Sequence, residues 1–367
     1  MKIHTIQAKH GDCFIVEYGK TRKKKFILID GGPQTVYKNY LRTNLEKIVK
    51  KKGYLDTVIL SHVDQDHVFG LLDLMKELLT QKSKRKKQFI EIKELWHNSF
   101  DLTIDPKNNI GKKIISIYSS SKSKKSLYNT GLAAKSIPQG NKLKKYAEKL
   151  LIPSNTIFKK GIISVENHRK TITKQDIKIT IVGPTNANFK ELRDEWISWL
   201  KKLKKKPNSK KSKDFDDPDD SVPNLSSVMF LIKTGRKKIL FTGDGRSDHL
   251  LQGLKSQKLL NSKGKIHVNL LKIPHHGSDR NVTVDFFKKV TADGYIISAD
   301  GSNSNPDFPT LQAIVKSAKE DKRKIIIYLT NKTVSTRKLL RKFSQSKYGY
   351  KLKIMPKSKN SFTLELK

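Results

Sequence analysis

The stretch LSHVDQDHVFG, Leu60–Gly70, decides how this chain is read. It continues the apolar run Val58-Ile59-Leu60 and sets His62, Asp64, Asp66 and His67 within six positions. A short β-branched apolar run bounded by polar residues predicts a buried strand. Polar groups directly beyond such a strand sit on a loop that a rigid base can aim. Imidazoles and carboxylates in one cluster are a donor set for zinc, manganese or iron(II). A mere surface turn would have no reason to place all four behind a buried strand.

The arrangement recurs along the chain. Residues 26–30 read as a strand closed by Gly31-Gly32-Pro33, residues 238–242 as one closed by Gly243-Asp244-Gly245, and residues 268–273 as one closed by Pro274-His275-His276-Gly277-Ser278. Gly and Pro clusters of this kind end strands. Asp30, Asp244, His275 and His276 therefore join the 62–67 cluster as candidates. Taken alone, Gly-Asp-Gly is a common turn and Asp30 reads as structural. Taken together, the strand ends come close to supplying donors for two divalent metal ions, zinc or manganese. A metal pair lowers the pKa of bound water towards neutrality and clamps the oxygens of a phosphoryl or acyl centre. One aspartate can bridge the pair, and another can take a proton from the attacking water.

Between these points the chain alternates strands and helices. Strands are predicted over 2–7, 13–18, 57–60, 89–96, 177–182, 227–233, 294–298, 324–330, 350–354 and 361–366, and helices over 36–51, 68–79, from Gly140 onward, 188–202 and 310–320. Residues 100–130 read as a polar insertion and the Lys-rich tract at 201–222 as a surface loop. Strands then helices in each half predict an α/β two-sheet sandwich with helices outside, in one domain over 1–367.

The 367 residues carry a formal net charge of +42. Such a field attracts polyanions. Lysine greatly outnumbers arginine, so coding bias accounts for the charge as readily as selection does. Arg and aromatic residues are little interleaved, so DNA or RNA is expected to be held through phosphates without base readout. No apolar run is long enough for a bilayer, and the opening MKIHTIQAKHGD lacks a signal-peptide pattern. Cys13 is the single cysteine, which excludes an internal disulfide and a cysteine zinc site within one chain. A cytoplasmic protein without membrane association is the expectation.

The HxDxDH cluster followed by Gly70 resembles the HxHxDHxxG signature of metallo-β-lactamase-fold hydrolases, with Asp64 in place of the middle histidine. IDGG at 29–32, LFTGD at 240–244 and IPHHGS at 273–278 follow in the family's order. The HxDxDH form, Asn224-Leu225-Ser226 ahead of the Gly-Asp motif, and the early KHGDCFIVEY are similar to the ComEC-type metallo-β-lactamase-like domain and its stand-alone soluble relatives. The resemblance implies a four-layer αββα sandwich. It also implies that His62 and Asp64 hold one metal, Asp66 and His67 the second, and that Asp244 bridges. A histidine of the 275/276 pair would complete the second site, His275 being nearer the strand end. Asp30 would support from behind and Asp66 would be the general base. Read from the residues themselves, Asn224 and Ser226 are candidates for substrate contact or capping, and Ser278 and Arg280 for phosphate contact or an ordinary turn. The family's usual histidine between the second and fourth motifs is absent, which leaves the first site poor in nitrogen and tilts it towards manganese or labile zinc. The ComEC-type His-Pro-His element stands here as Asn305-Pro306-Asp307. The activity implied is that of a metal-dependent hydrolase acting through a metal-bound hydroxide, a phosphodiesterase or nuclease. Hydrolysis of a small ester, lactone or phosphorylcholine-type substrate is the alternative, and a catalytically inactive nucleic-acid-binding protein is the third reading.

Overall fold

The structure, a computed structural model, describes residues 1–20, 23–49, 53–103, 105, 112, 128–205 and 226–366. Most of the insertion predicted at 100–130, the Lys-rich loop beyond Lys205, and Asn224 lie outside the described residues.

Two sheets are built from β1 Lys2–Ile6, β2 Phe14–Tyr18, β3 Lys25–Ile29, β4 Tyr54–Ile59, β5 Glu91–Ile92, β6 Leu95–Trp96, β7 Ile172–Lys174, β8 Ile177–Gly183, β9 Met229–Thr234, β10 Lys237–Phe241, β11 Ile266–Lys272, β12 Val290–Ile297, β13 Ile325–Leu329, β14 Tyr350–Ile354 and β15 Ser361–Glu365. The first sheet runs β15-β1-β2-β3-β4-β5, with β6 also beside β4, and the second runs β14-β13-β12-β11-β10-β9-β8-β7. Side chains alternate across each strand. Phe14 and Val16 of β2 thus face the second sheet and meet Phe230, Phe241 and Ile179 there, while Ile15 faces outward with Leu28 and Val58. Helices Arg42–Val49, Gln65–Ser83 and Tyr128–Leu150 cover that outward face through Leu45, Leu71, Met75 and Leu143. Helices Ser247–Ser256, Val284–Lys289 and Phe308–Glu320 cover the far side of the second sheet through Leu250, Phe286 and Leu311. The layers are helix, sheet, sheet, helix: a four-layer α/β sandwich of αββα type.

Tertiary contacts alter or add to the sequence expectation at several elements. The strand predicted at 89–96 is two short ones, because Lys93 N donates to Leu55 O and Val58 N to Glu94 O, leaving an irregular step between β5 and β6. The helix predicted from Gly140 starts at Tyr128 and continues through Pro138. Gly140 lets it sit close on the 62–67 loop, since a Cβ there would lie 2.8 Å from Val63 Cγ1. Strand β15 leaves its sequence neighbour β14 and pairs with β1 in the other sheet. No described helix is long and apolar enough to cross a membrane.

Strand direction positions the site. β3, β4 and β6 run parallel, as do β10, β11, β12 and β13. Their carboxyl ends therefore release Asp30, Ser61-His62, Asp244, His275-His276 and Ser298 at one rim of each sheet. Ligands in open α/β sheets gather beyond carboxyl ends for this reason.

Candidate metal centre

Four imidazoles converge on one oxygen. Asp244 Oδ2 lies 3.8 Å from His62 Nε2, 3.4 Å from His67 Nε2, 3.8 Å from His275 Nε2 and 3.3 Å from His276 Nε2. Asp66 Oδ2 is 3.2 Å from His276 Nε2 and 3.8 Å from His67 Nε2. Asp64 Oδ2 is 3.7 Å from His62 Nε2. Ligand atoms of Asp66, His67, Asp244 and His276 all lie within 4.8 Å of one another.

The rings are aimed by bonds on their other nitrogen. Asp30 has a left-handed backbone, φ 56°. Its Oδ1 accepts Ser61 N at 2.7 Å, and its Oδ2 accepts Ser61 Oγ at 2.7 Å and His67 Nδ1 at 2.9 Å. With its hydroxyl hydrogen given to Asp30, Ser61 Oγ is left to accept from His62 Nδ1 at 3.0 Å. His276 Nδ1 donates to Ser298 O at 2.9 Å, and His275 Nδ1 bonds Asn281 Oδ1 at 2.7 Å. Asn281 Nδ2 in turn donates to Asp244 O at 3.1 Å. Each imidazole thus presents Nε2 to the centre, the tautomer a metal ligand needs. His275 and His276 hold successive left-handed conformations, φ 46° and 53°. Such conformations cost about 1–3 kcal/mol each outside glycine and persist where the surroundings impose them. Helix Gln65–Ser83 starts within the motif, not at residue 68. Asp64 is its N-cap residue and Asp66 and His67 fall in its first turn, where helix polarity favours carboxylates.

These residues fit divalent metal ions. His62 Nε2, His67 Nε2 and His276 Nε2 are buried without a hydrogen-bond partner, a costly state for a polar atom unless something else faces it. Among the described residues, five carboxylates, those of Asp12, Asp30, Asp64, Asp66 and Asp244, surround the rings, against the one ammonium of Lys272. Two divalent cations would balance that deficit. Burial, then the neighbouring His67 charge, depresses the His62 imidazole to about 3, so it is neutral and ready to ligate. Burial also works against the proton on His67 and His276, but the carboxylates win and raise both well above 6.5: chiefly Asp244 and Asp66 for His67, Asp244 and Asp12 for His276. Burial opposes ionisation of Asp244 as well, yet the His276, His67 and His275 charges and Lys272 hold it well below the carboxylate range.

A pH dependence follows. Without metal, His67 and His276 keep their protons at neutral pH, and a metal must displace them. Metal affinity should rise with pH from 6 to 8, with protons released on binding, measurable by calorimetry in buffers of different ionisation enthalpy. Metal-free stability has the opposite sign. The His67 and His276 contribution is complete below 6.5, their ordinary value, and is lost as pH rises through their raised values. Affinity that did not change with pH would contradict this reading.

The structure gathers His62, Asp64, Asp66, His67, Asp244, His275 and His276, and sets Asp30 behind them. His276, rather than His275, stands in the group with Asp66 and His67. His275 Nε2, like His62 Nε2, lies 3.8 Å from Asp244 Oδ2. Ser278 is buried and Arg280 exposed. Ser226 precedes Ser227, whose Oγ accepts Asp244 N at 3.2 Å. Sequence reasoning missed Asp12, Ser61, Lys272, Asn281 and Ser298. For Lys272 a signal existed, a lone lysine inside the apolar strand end Leu270-Leu271-Lys272-Ile273. Asp12 lay in the noticed KHGD turn, but nothing local tied it to the rim.

Residues 7–109 match the sequence model of the metallo-beta-lactamase superfamily. Among solved structures, the chain aligns with the metallo-beta-lactamase fold protein YhfI from Bacillus subtilis at 13% identity and a TM-score of 0.42, covering 99% of this chain and 98% of that one. It aligns with a Cap4 SAVED/CARF-domain receptor from Acinetobacter baumannii at 10% identity and a TM-score of 0.14, covering 89% of this chain and 56% of that one. No curated protein matches the chain. The fold is the αββα sandwich, and the segment within it that carries Asp30 and the HxDxDH cluster is similar to the metallo-beta-lactamase superfamily.

Proposed function

We propose that this chain is a metal-dependent hydrolase of phosphodiesters, with DNA or RNA as the substrate class, and a relative of the ComEC-type metallo-β-lactamase-like domains. The observation that carries the proposal is the convergence of four imidazole Nε2 atoms on Asp244 Oδ2, three of them buried without a hydrogen-bond partner. His62, Asp64 and His275 would hold one ion, Asp66, His67 and His276 the other, and Asp244 both. Bound there, zinc or manganese would activate water and stabilise charge on phosphoryl oxygens. The protein supplies the rest. Burial raises the cost of ionising Asp66, but the His67 charge and His276, whose Nε2 is 3.2 Å away, keep it low, so it is an ionised proton acceptor at neutral pH. Its side chain is 25% exposed, within reach of a substrate. Asp30 and Ser61 hold two rings in place, and Asn281 and Ser298 the other two.

The charge of the chain supports a polyanionic substrate. Residues 322–364 hold thirteen Lys and Arg residues and no Asp or Glu. Arg337, Arg341 and Lys342 on helix Val334–Lys342 and Lys351 and Lys353 on β14 are exposed. That helix begins just after Asn331, whose Nδ2 donates to Ala299 O beside Ser298. Purified without chelators, the protein should contain close to two transition-metal ions per chain and cleave bis-p-nitrophenyl phosphate and DNA. DNA binding should weaken steeply between about 50 and 200 mM salt. A metal-free preparation of ordinary stability that attacks no phosphate ester on metal addition would remove the proposal.

A further inference from the structure

The geometry points to Lys272 as the positioning residue of the metal centre: together with Asp12 it turns the Asp244 carboxylate so that Oδ2 alone is offered to the ions. This rests on the metal-hydrolase reading above. Lys272 is the last residue of β11 and is 1% exposed. Its Nζ donates to Gly243 O at 2.8 Å, forms an ion pair with Asp12, and stands 3.5 Å from Asp244 Oδ1. A buried ammonium is expensive to desolvate. The same strand end is otherwise apolar, and a methionine would fill the space at no such cost. The charge is kept at a place where its neighbours are carboxylates and a carbonyl.

The two oxygens of Asp244 are divided by this arrangement. Oδ2 meets four imidazoles, whereas Oδ1 is buried without a hydrogen-bond donor and faces Lys272. Asp12 ties the lysine to the rest of the rim. Its backbone N donates to Asp66 O at 3.3 Å, and its Oδ1 is 3.5 Å from His276 Nδ1. Asp12 comes from the β1–β2 turn of the first sheet and Lys272 from the second, so the pair also pins the two halves of the site together. The approach is tight at Gly11, where a Cβ would lie 1.9 Å from Asp66 O.

A charge role and a positioning role predict opposite signs. Lys272 repels a cation, so if charge alone mattered, its removal would tighten metal binding. If it orients Asp244, removal loosens binding although a repelling charge has gone. The test is cobalt(II) titration of metal-stripped Lys272→Met, followed by visible absorption and calorimetry, beside thermal melts of the same metal-free samples. The expected result is cobalt affinity about 10- to 100-fold weaker with displaced d–d bands. Binding as tight as wild type or tighter, with unchanged bands, overturns the assignment. Should Lys272→Met fail to fold, Asp12→Asn/Lys272→Met removes both charges together. That variant is expected to fold and still show displaced bands; a wild-type cobalt spectrum and affinity in it would overturn the assignment equally. The readout is cobalt binding, so a wild-type protein that binds cobalt but cleaves no phosphodiester would sink the proposed function and leave this assignment standing.

Discussion

Asp244→Asn is expected to empty the centre of at least one metal ion and to lower phosphodiester hydrolysis by about a hundredfold or more. The substitution keeps the volume and removes the charge. Four Nε2 atoms surround Oδ2 at 3.3–3.8 Å, so this one oxygen faces all four rings. An amide there offers a neutral oxygen at best and an N–H facing the imidazoles at worst. The variant also loses the anion that does most to hold His67 and His276 charged. Elemental analysis beside turnover of bis-p-nitrophenyl phosphate decides the matter. Retention of two ions with near-normal turnover would show that Asp244 is a bystander.

Gly70→Val is expected to abolish folding, or to cost more than about 3 kcal/mol of stability, although residue 70 ligates nothing. A Cβ at residue 70 would lie 1.9 Å from Gly31 O, and one at Gly31 would lie 2.3 Å from Leu71 N. The two backbones cross at this point. Gly31 N donates to His67 O at 2.7 Å, and Gly70 N to Gly32 O at 3.1 Å. The crossing seats the first turns of helix Gln65–Ser83 on the end of β3, which places Asp30 behind His67. Backbone atoms cannot yield as a flexible side chain can. Gly264→Ala is the matched control: nothing lies within 4 Å, so only its left-handed φ of 68° is strained, at about 1 kcal/mol. Thermal melts of the two variants compare them directly, and a Gly70→Val melt equal to that of the control would refute the packing argument.

The ligand types were legible because each sits beside a recognisable boundary. His62, Asp64, Asp66 and His67 follow an apolar strand, and Asp244 and the 275/276 pair follow strands closed by Gly or Pro. The partners that aim them were not legible. Ser61, Asn281 and Ser298 are ordinary polar residues whose roles come from contacts across 22 to 37 positions. The assignment of His276 to the group of Asp66 and His67 depends on a two-residue left-handed turn, which a histidine pair does not announce.

The sequence by itself determined the alternation of strands and helices, the strand-end donors and the overall charge, because hydrophobic period and turn chemistry are local properties. Only the tertiary structure decided which sheet β15 joins, which histidine meets which aspartate, and that a lysine from one sheet and an aspartate from the other lie together under Asp244. Those facts depend on strand order and direction, which bring residues some 260 positions apart, such as Asp12 and Lys272, into one buried pair.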